Sequence, residues 1–176
     1  MRKERRRSGH PTDRLIRELI QTGRPAQQGE INLILERMAT APFDPRLVRV
    51  LTDELGLSYQ NRIVQPHEEA LYVHLVRRVL ADEQWAFGVT QDQDLADLRR
   101  SIRIASARLA LYQRRGGYIA ATLTSTIHAV SAINRGLRSL PQLWVVFSAD
   151  RGIIVTGYQV STPGAVSIPK DTRWLQ

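Results

Sequence analysis

Apolar positions recur along this chain first with a helical period and later with the two-residue period of strands. In residues 12–22, Leu15, Ile16, Leu19 and Ile20 share one helical face, and Gly23 and Pro25 end the run. Residues 29–41 repeat the pattern through Ile31, Leu33, Ile34, Leu35 and Met38. Asp44-Pro45 reads as an N-cap followed by proline at the first helical position. The helix it opens carries Leu47, Val48, Val50, Leu51 and Leu55, and Gly56 stops it. After a polar linker, Pro66 opens a longer helix over 67–82, with Glu68 and Glu69 where the helix dipole favours acids. His67, Leu71, His74 and Arg78 form one stripe along it. Thr90 and Gln93 make a capping box for a helix with Asp92, Asp94 and Asp97 early and Arg99, Arg100 and Arg103 late.

The period changes toward the C-terminal half. Leu143 to Phe147 and Ile153 to Val160 are β-favouring runs joined by Ser148-Ala149-Asp150-Arg151-Gly152, which predicts a β-hairpin closed by Gly152 in the left-handed region. Strict alternation would put Ile154, Thr156, Tyr158 and Val160 on one face and Ile153, Val155 and Gly157 on the other. Residues 104–140 fit two patterns. One is a helical hairpin through Leu95, Leu98, Ile102, Leu109 and Tyr112, then Ile119, Leu123 and Ile127. The other is a β-hairpin over 107–124, turning at Arg114-Arg115-Gly116-Gly117, with 125–140 as a connection. Thr122, Thr124 and Thr126 are poor helix formers, and an isolated hairpin at 143–160 needs further strands beside it. The β reading is therefore preferred. It gives an α+β protein: an N-terminal helical unit, then helices packed on a mostly antiparallel four-stranded sheet. The divisions are a basic arm (1–10), the helical unit (11–60), an α+β domain (66–160) and a tail (161–176), whose Trp174-Leu175 pair is placed to dock back.

Composition narrows the partners. The chain has 176 residues, 43% of them hydrophobic, enough for a core. Net charge is +8, and only Lys3 and Lys170 interrupt an otherwise all-arginine basic set. Arginine forks onto phosphate and stacks on bases, which suits a nucleic-acid surface; arginine-favouring codon usage accounts for the bias equally well. The absence of Cys excludes disulfides and thiolate metal sites. No run approaches the roughly 20 apolar residues that span a membrane. The start MRKERRRSGH leads into Pro11 and an amphipathic helix rather than a signal-peptide core, so the cytoplasm is the default compartment.

Three stretches carry a family likeness: the helix with His74 followed by Arg77-Arg78, the run DLADLRRSIR leading into ARLALYQRRGGYIAATL, and the closing hairpin LWVVFSADRGIIVTGYQV. Over 67–160 the chain resembles the barnase–EndoU–colicin–RelE superfamily of small ribonucleases and toxin domains, many of which end in a hairpin like Ile154-Val155-Thr156-Gly157-Tyr158. Several members carry a second His or a Lys near the helix histidine; here Arg77 and Arg78 stand there. The resemblance implies metal-independent cleavage of RNA to a 2′,3′-cyclic phosphate, without a cofactor. Such chemistry needs a base, an acid and donors around the phosphate. His74 is the candidate base, since an unperturbed imidazole titrates near neutrality. Arg78 would hold the phosphate, and Thr156 and Tyr158 would donate to its oxygens. Arg77, Arg114, Arg115 and Tyr112 are the candidate RNA-gripping residues. His67 and His74 lack a chelating i, i+4 spacing, so no metal site is expected. The implied partners are RNA and a neutralising antitoxin or immunity protein. Two rivals remain: a non-catalytic RNA- or DNA-binding module, and an interaction protein using the helical unit to hold a partner.

Overall fold

The computed structural model describes residues 7–44, 91–131, 136, 140–161 and 168–176. Among the described residues three helices, α1 (Pro11–Thr22), α2 (Gln28–Thr40) and α3 (Gln91–Arg103), precede strands β1 (Arg108–Arg114) and β2 (Gly117–Ser125). A single turn of helix, α4 (Thr126–Ala129), leads to β3 (Gln142–Ser148), β4 (Ile153–Val160) and the two-residue β5 (Arg173–Trp174). The strands form one sheet in the order β4-β3-β2-β1-β5, with every neighbouring pair antiparallel. The α+β class and the β-hairpin at 107–124 therefore hold. The expected four strands are five, because the tail adds β5 to the free edge of β1. The helices expected over 44–55 and 67–82 lie outside the described residues.

Local chemistry sets the boundaries. Proline opens α1 at a position whose N–H needs no partner, and His10 Nδ1 accepts the Thr12 N–H at 3.1 Å. Gly23 closes the helix, donating its N–H to the Leu19 carbonyl. Gln27 and Glu30 form a reciprocal capping box at the start of α2. Arg24 binds Glu18 and Glu30 at once, and its hydrogen bonds to Glu30 hold that carboxyl at about 2. The β1–β2 turn places Arg115 and Gly116 at φ 50° and 77°. Two consecutive left-handed residues give the turn twist that matches the strands.

α1, α2 and α3 lie on one face of the sheet. Ile16, Leu19, Ile31, Ile34, Met38, Leu98 and Ile102 share a buried core with Leu109, Leu111, Ala120, Leu143, Val145, Phe147 and Ile154. Gly157 lets α3 come close, since a Cβ there would run into the Leu98 side chain. The other face carries Ala110, Tyr112, Ala121, Leu123, Trp144 and Val160, flanked by Ile119, Val146, Tyr158, Ile168 and Trp174.

A β-bulge corrects the expected faces of β4. Val146 pairs with Thr156, but Phe147 pairs with Ile154, so Val155 is an extra residue. One inserted residue reverses the alternation. Ile154 consequently belongs to the helix-covered core, while Thr156, Tyr158 and Val160 belong to the opposite face.

The β3–β4 loop is clamped by the N-terminal segment. Asp13 is fully buried and accepts from Arg37 Nε and Nη2, both at 2.9 Å, and from the Ser8 hydroxyl. Arg37 also reaches the Gly152 carbonyl, and Arg17 reaches the Ala149 carbonyl at 3.0 Å. Arg151 pairs with Asp44 at 3.0 Å, and the Ser8 N–H donates to the Asp150 carbonyl. At the end of the basic arm, Arg7 and Ser8 are thus bonded to Asp150 of the hairpin loop. Gly152 sits at φ 68°, as its position in the loop demands.

Candidate functional site

The face opposite α1, α2 and α3 gathers several of the residues nominated from sequence. Register aligns Arg108, Leu123, Trp144 and Tyr158 in one row across the sheet. Trp174, Ala110, Ala121, Val146 and Thr156 form the next, and Tyr112, Ile119, Ser148 and Ile153 the third. The alanines of the middle row are small, so large rings from either side can lie over them. Tyr112 and Trp144 stack with centroids 6.4 Å apart and planes 14° from parallel. Trp174 is tilted against Trp144 at 6.2 Å, and the Arg108 guanidinium lies 4.2 Å from the Trp174 ring centre. That distance is a favourable cation–π contact.

Burial pushes the Tyr112 phenol up to about 12, the nearby Tyr158 adds to the rise, and Arg114 partly opposes it. Tyr112 is therefore a neutral hydroxyl at ordinary pH, able to donate to an oxygen but not to take a proton. Guanidiniums are likewise fixed in charge. The face thus combines stacked rings, hydroxyls and cations.

Of the residues nominated from sequence, the fold brings Tyr112, Thr156 and Tyr158 to this face, with Arg114 close enough to act on Tyr112. Arg115 is exposed at the tip of the β1–β2 turn. His74, Arg77 and Arg78 lie outside the described residues. The three described long helices cover the other face, so Thr156 and Tyr158 point away from α1, α2 and α3. Arg108, Trp144 and Trp174 were not nominated. Trp144 was within reach, because continuing the Ser148–Ile153 register without a bulge already sets its neighbour Leu143 opposite Tyr158. Trp174 docks back as the sequence suggested, but its pairing on β1 as β5, which brings it to Arg108, was not read.

A second polar feature lies on the helix side. Thr122, Thr124 and Thr126 are buried, and their hydroxyls have no hydrogen-bond partner among the described residues. Asp97 on α3 accepts the Ser131 N–H at 3.3 Å and sits 3.6 Å from Arg100. A cleft of about 420 Å³ between α2, the end of α3 and Gln176 is lined by Gln28, Asn32, Glu36 and Arg103 over Leu35 and Ile102. Among the described residues no cluster of His, Asp and Glu is placed to hold a metal ion, and no helix is long and apolar enough to cross a membrane.

No protein-family model, curated protein or solved structure matches the chain.

Proposed function

We propose that this chain is a metal-independent endoribonuclease of the toxin type, acting on RNA in the cytoplasm under the control of a neutralising protein. The observation that supports it most is the gathering of Tyr112, Thr156 and Tyr158 with Arg114 on one sheet face beside stacked aromatic rings. Single-stranded RNA is recognised by such means: rings and guanidiniums stack on bases, and hydroxyls and cations meet phosphates. In the reaction, the 2′-oxygen attacks phosphorus while a base takes its proton. The bond to the 5′-oxygen breaks, an acid protonates that oxygen, and a cyclic phosphate remains. Thr156 and Tyr158 donate to the phosphate oxygens as charge builds. None of the groups gathered on this face is a base at neutral pH, and the sequence nominates His74 for that role with Arg78 on the phosphate.

The test is cleavage of single-stranded RNA between pH 5 and 9, with and without EDTA, with mass analysis of the product ends. The expected result is EDTA-resistant cutting to cyclic phosphate. His74→Ala lowers the rate by about 10²–10⁴. Tyr158→Phe and Thr156→Val lower it by no more than about 10²–10³. Absence of cutting across that pH range, or equal cutting by His74→Ala, sinks the enzyme reading. The same face then supports the second reading, a binding module, because its described groups hold and stack RNA without any group that takes the proton.

A further inference from the structure

Part of the outer face is packed against a segment of the chain that has no buried residue of its own. Trp144 and Tyr112 are almost wholly shielded from solvent, at 1% and 4% exposure. Ile168 and Trp174 of the tail pack directly on their cluster. Yet no residue of 168–176 is buried; each is half-buried or exposed. β5 pairs with β1 over two residues only, Trp174 with Ala110 and Arg173 with Leu111. A turn in which Thr172 bonds back to the Pro169 carbonyl diverts the tail before the pairing can extend. Gln113 and Arg114 at the far end of β1 remain exposed. A segment with so little buried surface and so short a ladder belongs to the low-stability end of a fold.

One contact stands apart from this. Arg173 donates to the Leu19 and Arg24 carbonyls, both at 2.7 Å. The Leu19 carbonyl belongs to the last turn of α1, where the helix dipole is negative and a cation is favoured, and Arg24 follows the Gly23 cap. Past Trp174, the Leu175 N–H bonds the Leu109 carbonyl and the Gln176 amide bonds the Ala107 carbonyl. The tail is therefore latched beside the residue that does the covering, and the latch is an element of the N-terminal helical unit.

We infer that residues 168–176 are a gating strap that competes with RNA for the outer face, and that α1 keeps the strap closed through Arg173. This rests on the RNA reading above. Opening lifts Trp174 from Trp144 and frees the β1 edge and the aromatic floor together. Apparent affinity scales with the open fraction, so a strap closed about nine-tenths of the time weakens RNA binding roughly tenfold. The rival role for the same geometry is a permanent cover that protects the β1 edge from pairing with other chains.

Full-length Arg173→Ala and Trp174→Ala separate the two. The first removes the latch and leaves the cover; the second removes the cover and leaves the latch. Hydrogen exchange over 108–112 and 168–176 reports strap opening without reference to RNA, and a labelled single-stranded oligonucleotide at low salt reports binding. The expected result is faster exchange in both segments and RNA binding up to roughly tenfold tighter than wild type. Unchanged exchange in Arg173→Ala overturns the latch. Faster exchange with equal or weaker RNA binding overturns the competition and leaves a permanent cover. If wild type binds no RNA and the variants bind none despite faster exchange, the RNA reading itself fails and the gate falls with it. Should Trp174→Ala not fold, Arg173→Ala decides alone, since its side chain reaches only backbone carbonyls.

Discussion

The two faces of the sheet are built from the same strands by the same alternation, yet they differ in kind. The helix-covered face is mainly aliphatic, with Phe43, Tyr118 and Phe147 among its core residues; it is closed by α1, α2 and α3 and tied at one end by the buried Asp13–Arg37 pair. The opposite face mixes aliphatic side chains with the rings of Tyr112, Trp144, Tyr158 and Trp174 around two alanines, and the described segment 168–176 that packs on it has no buried residue. The contrast separates labour. The first face holds the fold and tolerates little change; the second gives up close aliphatic packing and keeps groups that can exchange one partner for another. Substitutions on the first should register as stability, and those on the second as binding.

The largest expected effect is Arg37→Ala. It leaves the Asp13 carboxylate, at 0% exposure, without its guanidinium. Breaking a buried pair by removing one partner costs about 3–5 kcal/mol. A denaturant midpoint close to wild type would show that the clamp is dispensable and the contrast overstated. Gly152→Val comes next. A β-branched residue at φ 68° is strained by about 1–3 kcal/mol. Its Cβ would also stand 2.7 Å from Arg37 Nη2 and 2.9 Å from Asp13 Oδ2, so it strikes the same clamp. Equal stability of wild type and variant would rule out the loop geometry.

On the outer face the expected signal is a pH effect. The Tyr112 phenol is raised from 10 to about 12 by burial, so the folded state favours its neutral form. That contribution is complete below pH 10 and is lost as pH rises toward about 12. The decline in melting temperature over that window should be shallower in Tyr112→Phe, with tyrosinate absorbance appearing late in wild type. Parallel declines would mean that Tyr112 is more open than the stacking implies. The smallest stability effect belongs to Arg114→Ala combined with Arg115→Ala, within about 0.5 kcal/mol. Its signature is in binding: the salt slope for single-stranded RNA should fall by about 0.7 for each phosphate the turn no longer neutralises. An unaltered slope would remove this turn from the RNA surface.

Much of the fold was readable because its signals are local. The end of α1 follows from Gly23, the existence of α2 from its apolar period, and the two hairpins from β-favouring runs closed by turns that hold Gly116 and Gly152; the Gln27–Glu30 box at the start of α2 was not read. The helix or strand ambiguity at 107–124 yielded to the threonines and to the need of the 143–160 hairpin for neighbours. The bulge was not readable. Nothing in Ile-Val-Thr-Gly-Tyr marks Val155 as the extra residue; it is fixed by Phe147 taking Ile154 into the helix-covered core. So Thr156 and Tyr158 were correctly placed together, but Ile154 was wrongly placed with them. The site suffered more, because Arg108 and Trp174 approach through a strand of two residues, too short to leave a pattern.

The strand order β4-β3-β2-β1-β5 also dictates a sequence of events in time. β1, β2 and β3 each pair with the next strand in the chain, so these contacts join sequence neighbours and form early. β5 returns to β1 only after the whole meander has been passed. During folding, and while the polypeptide is still being made, there is consequently an interval in which the meander exists and the edge of β1 is open. An open edge is a template for pairing with another chain. β1 begins at Arg108 and ends at Arg114, and charged residues at the two ends of an apolar strand act as gatekeepers against such pairing. The arginines that bracket β1 in the finished protein thus also guard it during the interval before its last neighbour arrives.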